Sequence, residues 1–264
     1  MSPRIAALLA ALAASGCLHH EPLVERGRAS DVLVFRDVRV FAGNRLEADD
    51  HQDVVVRGAR IESVRPTGGP VEDGAFVVEG GGRTLLPGLV DFHVHLVNTS
   101  SPPWDPSLPD TGHNLEGYLY AGVTAVCDMA GPVGQLGDLA DEVESGERLG
   151  PRIFFAGPML GAPGGHPEAI LEEALPWPVS AVAAGRIGRP IETPQDGVLA
   201  VEDLARDRVT LVKVAYDSLP TGAPQLDRER LLAIVETAHP RGLKLALHVR
   251  KAPDPLPTAL NRAD

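Results

Sequence analysis

Two histidines at the end of an apolar run are the first residues in this sequence whose types and spacing could do chemistry. Residues 85–96 read LLPGLVDFHVHL, in which His93 and His95 alternate with Phe92 and Val94. Residues two apart in a β-strand point to the same face, so the two imidazoles are expected to project together. Such a pair is either hydrogen-bonded or one half of a metal site, and the spacing alone leaves both readings open.

Two further strand ends supply side chains that could act with this pair. The run TLVKVAY (210–216) places Lys213 between two valines, and the run LKLALHV (243–249) ends near His248. Each has an ordinary explanation, because a lysine stem can carry its ammonium group to water and one hydrogen bond can satisfy a core histidine. A lysine inside an apolar strand is nevertheless costly unless it is paired or chemically altered. Because catalytic groups of an α/β barrel sit at the carboxyl ends of its strands, the coincidence predicts a shared site.

The elements that would position these side chains alternate between strand and helix from residue 89 onward. Apolar runs predict strands at 89–95, 123–129, 152–157, 210–216 and 243–249. Helices are predicted around 113–120, 134–147, 198–206 and 227–240. The last helix has the clearest ends, with Asp227 as its N-cap and Gly242 closing it. This alternation predicts a parallel sheet with right-handed crossovers.

Two other stretches have different patterns. Residues 31–88 contain β-branched, alternating segments broken by Gly, Asn and Pro, which predicts a small all-β portion. Residues 175–196 are rich in Gly and Pro and read as an insertion-like loop, either a lid or a plain surface loop. Cys127, in the run AVC, is predicted to be a packed small hydrophobe.

The first 17 residues have the pattern of a secretory signal peptide. Arg4 precedes an uncharged Ala/Leu run that ends in small residues directly before Cys17. The run is too short for an ordinary transmembrane helix. Its Ala-Ser-Gly-Cys end resembles a bacterial lipobox, which implies cleavage before Cys17 and lipidation of its thiol. Residues 18–30 would then be a tether to a cell-envelope membrane; a plain signal peptide with an incidental cysteine is the alternative.

Composition excludes one class of partner. The chain has 264 residues, of which 44% are hydrophobic, so it can bury a sizeable core. Its formal net charge is -12, and no basic stripe is visible in the sequence. Binding of a phosphate backbone requires clustered Lys and Arg, so we expect no nucleic-acid partner.

From residue 31 to residue 264 the sequence resembles the amidohydrolase superfamily, specifically its imidazolonepropionase and Xaa-Pro dipeptidase-like branch. The motifs that carry the resemblance are LLPGLVDFHVHL, AGVTAVCDMAG (121–131), GPRIFFAGPMLGAPGGHP (150–167), LVKVAYD (211–217) and AIVETAHPRGLKLALHV (233–249). The resemblance implies an α/β fold in which a metal-dependent (β/α)8 TIM-type barrel accompanies a small β-sandwich built from both chain ends. In this chain the sandwich portion would cover residues 31–88 and the barrel portion residues 89–264.

The resemblance also implies roles for the strand-end residues. His93 and His95 would bind one divalent metal ion, His248 would bind a second, and Lys213 would bridge them as a carbamylated lysine. Two zinc ions would then activate a water that hydrolyses an amide-type C–N bond of a small-molecule or dipeptide-like substrate. His166, in the GGH segment after the third strand, could contact that substrate, or it could be a solvent-exposed loop histidine.

The sequence departs from the family pattern towards its end. The family has a further histidine ligand on strand six and an aspartate on strand eight, and neither is found after His248. A full barrel typically needs about 250 residues, so a truncated barrel of about five βα units is expected. The chain would then represent an incomplete hydrolase, or else a non-catalytic lipoprotein fragment without turnover. A one-metal deaminase of the same superfamily is a third reading, against which Lys213 speaks because those enzymes lack a bridging lysine.

Overall fold

The computed structural model describes residues 21–27, 30–44, 47–97 and 110–249. The predicted signal peptide, Cys17 and residues 250–264 lie outside the described residues, as does part of the predicted tether. The described chain divides into two units, one comprising Glu25–Asp91 with Gly122–Ala125 and the other most of the remainder. Within the described ranges, no helix combines the length and the apolar character that crossing a membrane requires.

The unit that contains Glu25–Asp91 is built from short strands, as predicted for this part of the chain. Its strands are β1 (Val32–Val40), β2 (Asp49–Arg57), β3 (Arg60–Pro66), β4 (Phe76–Glu79) and β5 (Thr84–Leu85). They lie in the order β3-β2-β1-β4, and β5 also pairs with β1. β1 and β2 are antiparallel, with Val34 opposite Val55, whereas β1 and β4 are parallel. Alternating valines therefore meet on one face of the sheet and form its core with Val32.

The following elements alternate between strand and helix. They are β6 (Leu89–Val94), α1 (Thr111–Tyr120), β7 (Val123–Asp128), α2 (Val133–Glu144), β8 (Arg152–Phe155), β9 (Met159–Gly161), α3 (Glu168–Ala174), α4 (Val179–Ile187), β10 (Gly188–Pro190), α5 (Pro194–Arg206), β11 (Leu211–Ala215), α6 (Arg228–Ala238) and β12 (Lys244–His248). Each of the strands and helices predicted from residue 89 onward is present, with bounds that differ by a few residues. The strand-helix alternation of the sequence is thus confirmed.

The strands of this region form sheets in the orders β6-β7-β8 and β10-β9-β11-β12. In the second sheet every pairing is parallel, and Lys213 lies opposite Ala246 while Ala215 lies opposite His248. The backbone N–H of Thr210 donates to the carbonyl of Phe155 over 2.9 Å, so β8 also reaches the start of β11. Among the described residues these sheets form no closed barrel. The fold is mixed α/β, and the truncated barrel stays a prediction.

Helix α6 shows why the sequence pattern located its ends well. The carboxylate of Asp227 accepts a hydrogen bond of 2.9 Å from the backbone N–H of Arg230, as an N-cap does. Leu231 and Val235, one helical turn apart, are buried on the same face. Gly242 adopts a φ of 73°, a left-handed conformation that favours glycine, and it closes the short 3-10 turn after the helix. Both predicted ends are confirmed.

The prediction of a surface loop over residues 175–196 is wrong for much of that stretch. The structure has α4 there, followed by β10, which pairs in parallel with β9. Three alanines between Pro178 and Gly188 favour a helix more strongly than Gly185 disfavours one. Pro178, which suggested a break, precedes the first helical residue, where a proline is tolerated.

Strand β6 lies at the edge of its sheet and carries apolar side chains that remain exposed. Leu89, Val90 and Phe92 are exposed to 50%, 65% and 61%. In contrast, Val94 and the adjacent Leu96 are buried. Only the end of the strand that bears the histidine pair is therefore anchored in the core.

Candidate functional site

The residues singled out at the strand ends of β6, β11 and β12 lie within electrostatic range of one another. The pKa of His95 is lowered by burial first, then by the positive charge of Lys213 and, to a smaller extent, by His248. Positive charge acts on an imidazole in this way only over short distances in a poorly solvated environment. These influences on the pKa of His95 agree with the shared site that the sequence predicts for the three strands, and the site itself stays a prediction.

Lys213 occupies the middle of the fully buried strand β11. Its exposed fraction is 2%, and Ala246 on β12 lies opposite it. Burial lowers the pKa of the Lys213 amine because the ammonium form loses its hydration, and the nearby carboxylate of Asp217 opposes this shift only in part.

His93 and His95 project to the same side of β6. Their ring centroids lie 5.5 Å apart with the planes at 74°. His93 is exposed. His95 is partly buried, and the charge of Lys213 lowers its pKa. The side-by-side placement predicted from the period of a strand is therefore observed.

A second group of side chains forms one compact cluster, which we call the His-Asp-His cluster: His166, Asp217 and His248. One potential ligand atom from each residue lies within 4.8 Å of the corresponding atoms of the other two. Nδ1 of His166 is 3.5 Å from Oδ1 of Asp217, and Nε2 of His248 is 3.4 Å from Oδ2 of Asp217. The two imidazole rings meet edge to face, with centroids 4.4 Å apart.

The loop that carries His166 reaches the cluster because of a glycine in β9. A Cβ atom at Gly161 would lie 2.3 Å from the carbonyl oxygen of His166, well inside van der Waals contact. The absence of a side chain at Gly161 thus lets the loop fold back onto the strand. His166 is 8% exposed, so its reading as a solvent-exposed loop histidine is not what the structure shows.

Asp217 is the member of the cluster that sequence reasoning missed. It follows the last residue of β11 by two positions, in the motif LVKVAYD that was used only for Lys213. Its side chain is 5% exposed, and neither carboxylate oxygen has a hydrogen-bond partner. The usable signal was its position, since an acidic residue at the carboxyl end of a parallel strand faces the same edge of the sheet as the other strand-end groups.

A second buried aspartate, Asp128, hydrogen-bonds to the backbone near the strand ends and is not part of the His-Asp-His cluster. Oδ2 of Asp128 accepts a hydrogen bond of 2.7 Å from the backbone N–H of Leu96, and Oδ1 accepts one of 2.9 Å from that of Ala130. Burial raises the pKa of Asp128 to about 6, although both hydrogen bonds act in the opposite direction. This carboxylate connects the end of β7 to Leu96, the residue after His95. It therefore holds the backbone next to the histidine pair in place.

Cys127, next to Asp128, has a packing role. It is 1% exposed and belongs to a core cluster with Met129, Ala156 and Leu211. Burial, and then the charge of Asp128, raise the pKa of its thiol to about 11. A thiol with this pKa is a poor nucleophile at neutral pH, which agrees with the prediction of a packed small hydrophobe.

A cavity of about 220 Å³ lies beside His166. Its walls come from β9, β10 and the helices α3 and α4, and they include Glu172 and Arg189. Because typical pockets for drug-sized ligands measure about 300–1,000 Å³, this cavity suits a small molecule or one group of a larger one. Its charged lining of both signs is compatible with a polar ligand.

Comparison with known proteins places these residues in context. No protein family model matches the chain. A dihydroorotase from Streptomyces coelicolor is 33% identical over 108 residues, which cover 39% of this chain and 25% of the dihydroorotase. The solved structure of a prolidase in complex with N-methylphosphonate-L-proline has 25% identity and a TM-score of 0.66, and it matches 83% of this chain and 56% of the prolidase.

A second solved structure is similar in fold. A Xaa-Pro dipeptidase with methionine bound in its active site has 20% identity and a TM-score of 0.65, over 88% of this chain and 59% of that protein. The chain thus spans a quarter of the dihydroorotase and somewhat more than half of each solved structure. These relatives are hydrolases that act on carbon–nitrogen bonds. In its motifs, its fold and these relatives, the chain is similar to proteins of the amidohydrolase superfamily.

Proposed function

We propose that this chain is part of a metal-dependent hydrolase that cleaves amide-type C–N bonds with a metal-activated water. The observation that supports the proposal is the placement of Lys213 and His248 on the paired strands β11 and β12, together with the lowering of the pKa of His95 by the charges of both residues. The relatives that support it include a dihydroorotase and two enzymes that act on proline dipeptides, by their names. A small cyclic amide or a proline-containing dipeptide is therefore the proposed class of substrate.

The side chains present fit divalent metal ions. Imidazole nitrogen and carboxylate oxygen are donors that zinc prefers, and beside His248 the Nδ1 atom of His166 and both carboxylate oxygens of Asp217 are buried without a hydrogen-bond partner. His93 and His95 would hold one ion and His248 the second, with carbamylated Lys213 shared by both. Bound metal would supply Lewis acidity and lower the pKa of a water molecule.

The remaining roles fall to the protein's own groups. Lys213 would present a neutral amine for carbamylation, because burial lowers its pKa. Asp128 would hold the end of β6 in place through the backbone of Leu96. His166 would contact the substrate, which the small cavity beside it could admit.

We further propose that the sheets described here are the first part of a barrel. The solved relatives extend well beyond the matched 56–59% of their length. Polypeptide in addition to this sequence would supply the remaining strands, with the histidine of strand six and the aspartate of strand eight. Turnover would then require that polypeptide.

The test compares this chain with the protein extended by the reading frame downstream of codon 264. Both are loaded with Zn²⁺ in bicarbonate buffer and assayed against N-acyl-prolines, Xaa-Pro dipeptides and cyclic amides. We expect turnover in the extended protein, and we expect Lys213→Ala to abolish it while Lys244→Ala, an exposed lysine on β12, leaves it unchanged. No turnover by either protein would favour the non-catalytic lipoprotein fragment.

We also propose that the protein is exported and held at a cell-envelope membrane by lipid on Cys17. The support is the sequence pattern of residues 1–17. When the protein is expressed in bacteria with a radiolabelled fatty acid, the label should enter the parent chain and be absent from Cys17→Ala. Equal labelling of the two would reject the lipid anchor.

A further inference from the structure

The His-Asp-His cluster contains buried polar atoms that make no hydrogen bond. Both oxygens of Asp217 and Nδ1 of His166 are buried and lack a hydrogen-bond partner. The side chains of Asp217 and His166 are 5% and 8% exposed, so water reaches them poorly. Burial of a carboxylate without hydrogen-bond partners destabilises the folded protein, so a group that satisfies it is expected to bind there.

The distances within the cluster suit a metal ion better than direct hydrogen bonds. The N···O separations of 3.5 Å and 3.4 Å are longer than those of ordinary hydrogen bonds, which are about 2.7–3.2 Å. Bonds of about 2.0–2.2 Å in a tetrahedral arrangement place neighbouring ligand atoms about 3.3–3.6 Å apart. The two separations involve different carboxylate oxygens of Asp217 and both fall in that interval, and one ligand atom from each of the three residues lies within 4.8 Å of the other two.

The three ligands come from separate elements that are fixed in place. His248 ends β12, which pairs in register with β11, and Asp217 follows β11 by two residues. His166 is held by the close approach of its loop to Gly161. Because two of these positions are set by a parallel sheet and the third by backbone contact, the cluster is preorganised for a ligand.

We infer that His166, Asp217 and His248 form a three-ligand site for one divalent cation of the zinc type. Two imidazoles and one carboxylate suit Zn²⁺ or Co²⁺, whereas Mg²⁺ and Ca²⁺ prefer oxygen ligands alone. Three protein ligands leave one coordination position for water or substrate. The site shares His248 with the proposed function, and it uses His166 as a metal ligand in place of the substrate contact proposed above. It requires neither a carbamate on Lys213 nor any residue outside the described chain.

The test measures metal binding by the whole 264-residue chain, without any activity assay. After treatment with a chelator and its removal, the chain is titrated with Zn²⁺ by calorimetry and with Co²⁺ by visible absorption. We expect about one tightly bound equivalent and the absorption of four-coordinate Co²⁺. A hundredfold excess of Zn²⁺ over its dissociation constant should raise the melting temperature by roughly 5–10 °C.

Asp217→Asn and His166→Gln should each remove this equivalent and abolish the metal-induced rise in melting temperature. In the presence of chelator we expect Asp217→Asn to melt no lower than the parent, because it removes a buried charge without hydrogen-bond partners. Its folding is checked by circular dichroism, and His166→Gln gives an independent answer if the first variant does not fold. Retention of the bound equivalent by either folded variant overturns the inference.

Matched controls separate this site from other sources of binding. His51→Gln removes an exposed histidine that lies 2.8 Å from Asp37, and it should leave the stoichiometry unchanged. The paired His19 and His20 are replaced by Gln in a further control, with the same expectation. Loss of the equivalent in either control means that the cation binds elsewhere, which contradicts the inference.

Lys213→Ala distinguishes the inferred site from the carbamate-bridged centre. We expect this variant to keep the equivalent bound by the His-Asp-His cluster even though it cannot form a carbamate. If Lys213→Ala loses all metal while Asp217→Asn keeps it, the inferred site is wrong and the carbamate-bridged centre stands. The two proposals therefore fail on different variants.

Discussion

The carboxylate of Asp128 accepts a hydrogen bond of 2.7 Å from the backbone N–H of Leu96, the residue directly after His95. The bond joins the end of β7 to the end of β6 inside the core, where both residues are 0% exposed. Charge-assisted bonds of this kind are shorter and stronger than neutral ones. The position of the histidine pair therefore depends on an aspartate that need not touch substrate or metal.

Replacement of this aspartate should be costly. Asp128→Ala leaves the backbone N–H groups of Leu96 and Ala130 buried without acceptors, and we expect it to lower the free energy of unfolding by about 2–4 kcal/mol. Urea denaturation measures the change. Asp128→Asn keeps one acceptor and should lose less, and Asp138→Ala, on the exposed face of α2, should change stability by less than about 0.5 kcal/mol. Equal effects of Asp128→Ala and Asp138→Ala would contradict this role.

Gly161 should tolerate no side chain. The Cβ of Gly161→Ala would overlap the carbonyl oxygen of His166, so the loop must move away from β9. We expect a loss of about 1–3 kcal/mol in stability and at least a tenfold weaker binding of Zn²⁺ by the His-Asp-His cluster. Calorimetry measures the binding, and urea denaturation measures the stability.

The control for that substitution is Gly185→Ala. Gly185 lies inside α4, and nothing occupies the space within 4 Å of its missing Cβ. Alanine there should stabilise the protein by about 0.5–1 kcal/mol without altering the binding of Zn²⁺. Weaker binding in Gly185→Ala would show that the cluster responds to general changes in this region, and not to the contact between Gly161 and His166.

The N-cap of α6 should make stability depend on pH in acid. The hydrogen bond from the backbone N–H of Arg230, aided by the charge of that arginine, lowers the pKa of Asp227. The unfolded chain therefore takes up this proton first as the pH falls. The contribution of the cap to the free energy of unfolding is fully present above about pH 4, the ordinary pKa of an aspartate. It is lost as the pH falls through the lowered pKa of Asp227 in the folded state.

The variants of Asp227 isolate this contribution. Asp227→Ala should cost about 1 kcal/mol at pH 7, and the difference from the parent should shrink towards pH 2. Asp227→Ser keeps a capping oxygen that does not titrate in this range, so its stability relative to Asp227→Ala should not change with pH. Urea denaturation across pH 2–7 checks both, and a constant difference between parent and Asp227→Ala would reject the explanation.

Cys127 should be unreactive while the protein is folded. Its thiol is buried, and its pKa is raised to about 11 by burial and by Asp128. In a Cys17→Ser background, which leaves a single thiol, we expect an aromatic disulfide reagent at pH 8 to react only when urea opens the core. Rapid reaction of the folded protein would show that β7 is exposed.

The sequence pattern predicted the elements of this fold better than it predicted the site. The strands that carry His93, Lys213 and His248 could be found because apolar runs have visible limits in the sequence. Helix α4 was missed because the Gly and Pro content of the segment was weighted as a loop signal, although three alanines outweigh it. A single residue type is thus weaker information than the propensity summed over a segment.

Asp217 and the burial of His166 were not predictable in the same way. Both lie in loops that follow β11 and β9, where no periodicity indicates the direction of a side chain. Their approach to His248 depends on contacts between residues far apart in the sequence, such as that between Gly161 and the carbonyl of His166. Only the folded chain shows that these residues form one cluster.

The exposed apolar side chains of β6 favour self-association of this polypeptide in solution. Leu89, Val90 and Phe92 stand on an edge strand, where an uncovered row of backbone groups invites pairing with another chain. Purification at high concentration should therefore produce oligomers that light scattering detects. Low protein concentration and a mild detergent are the conditions under which titration of this chain with metal can be interpreted.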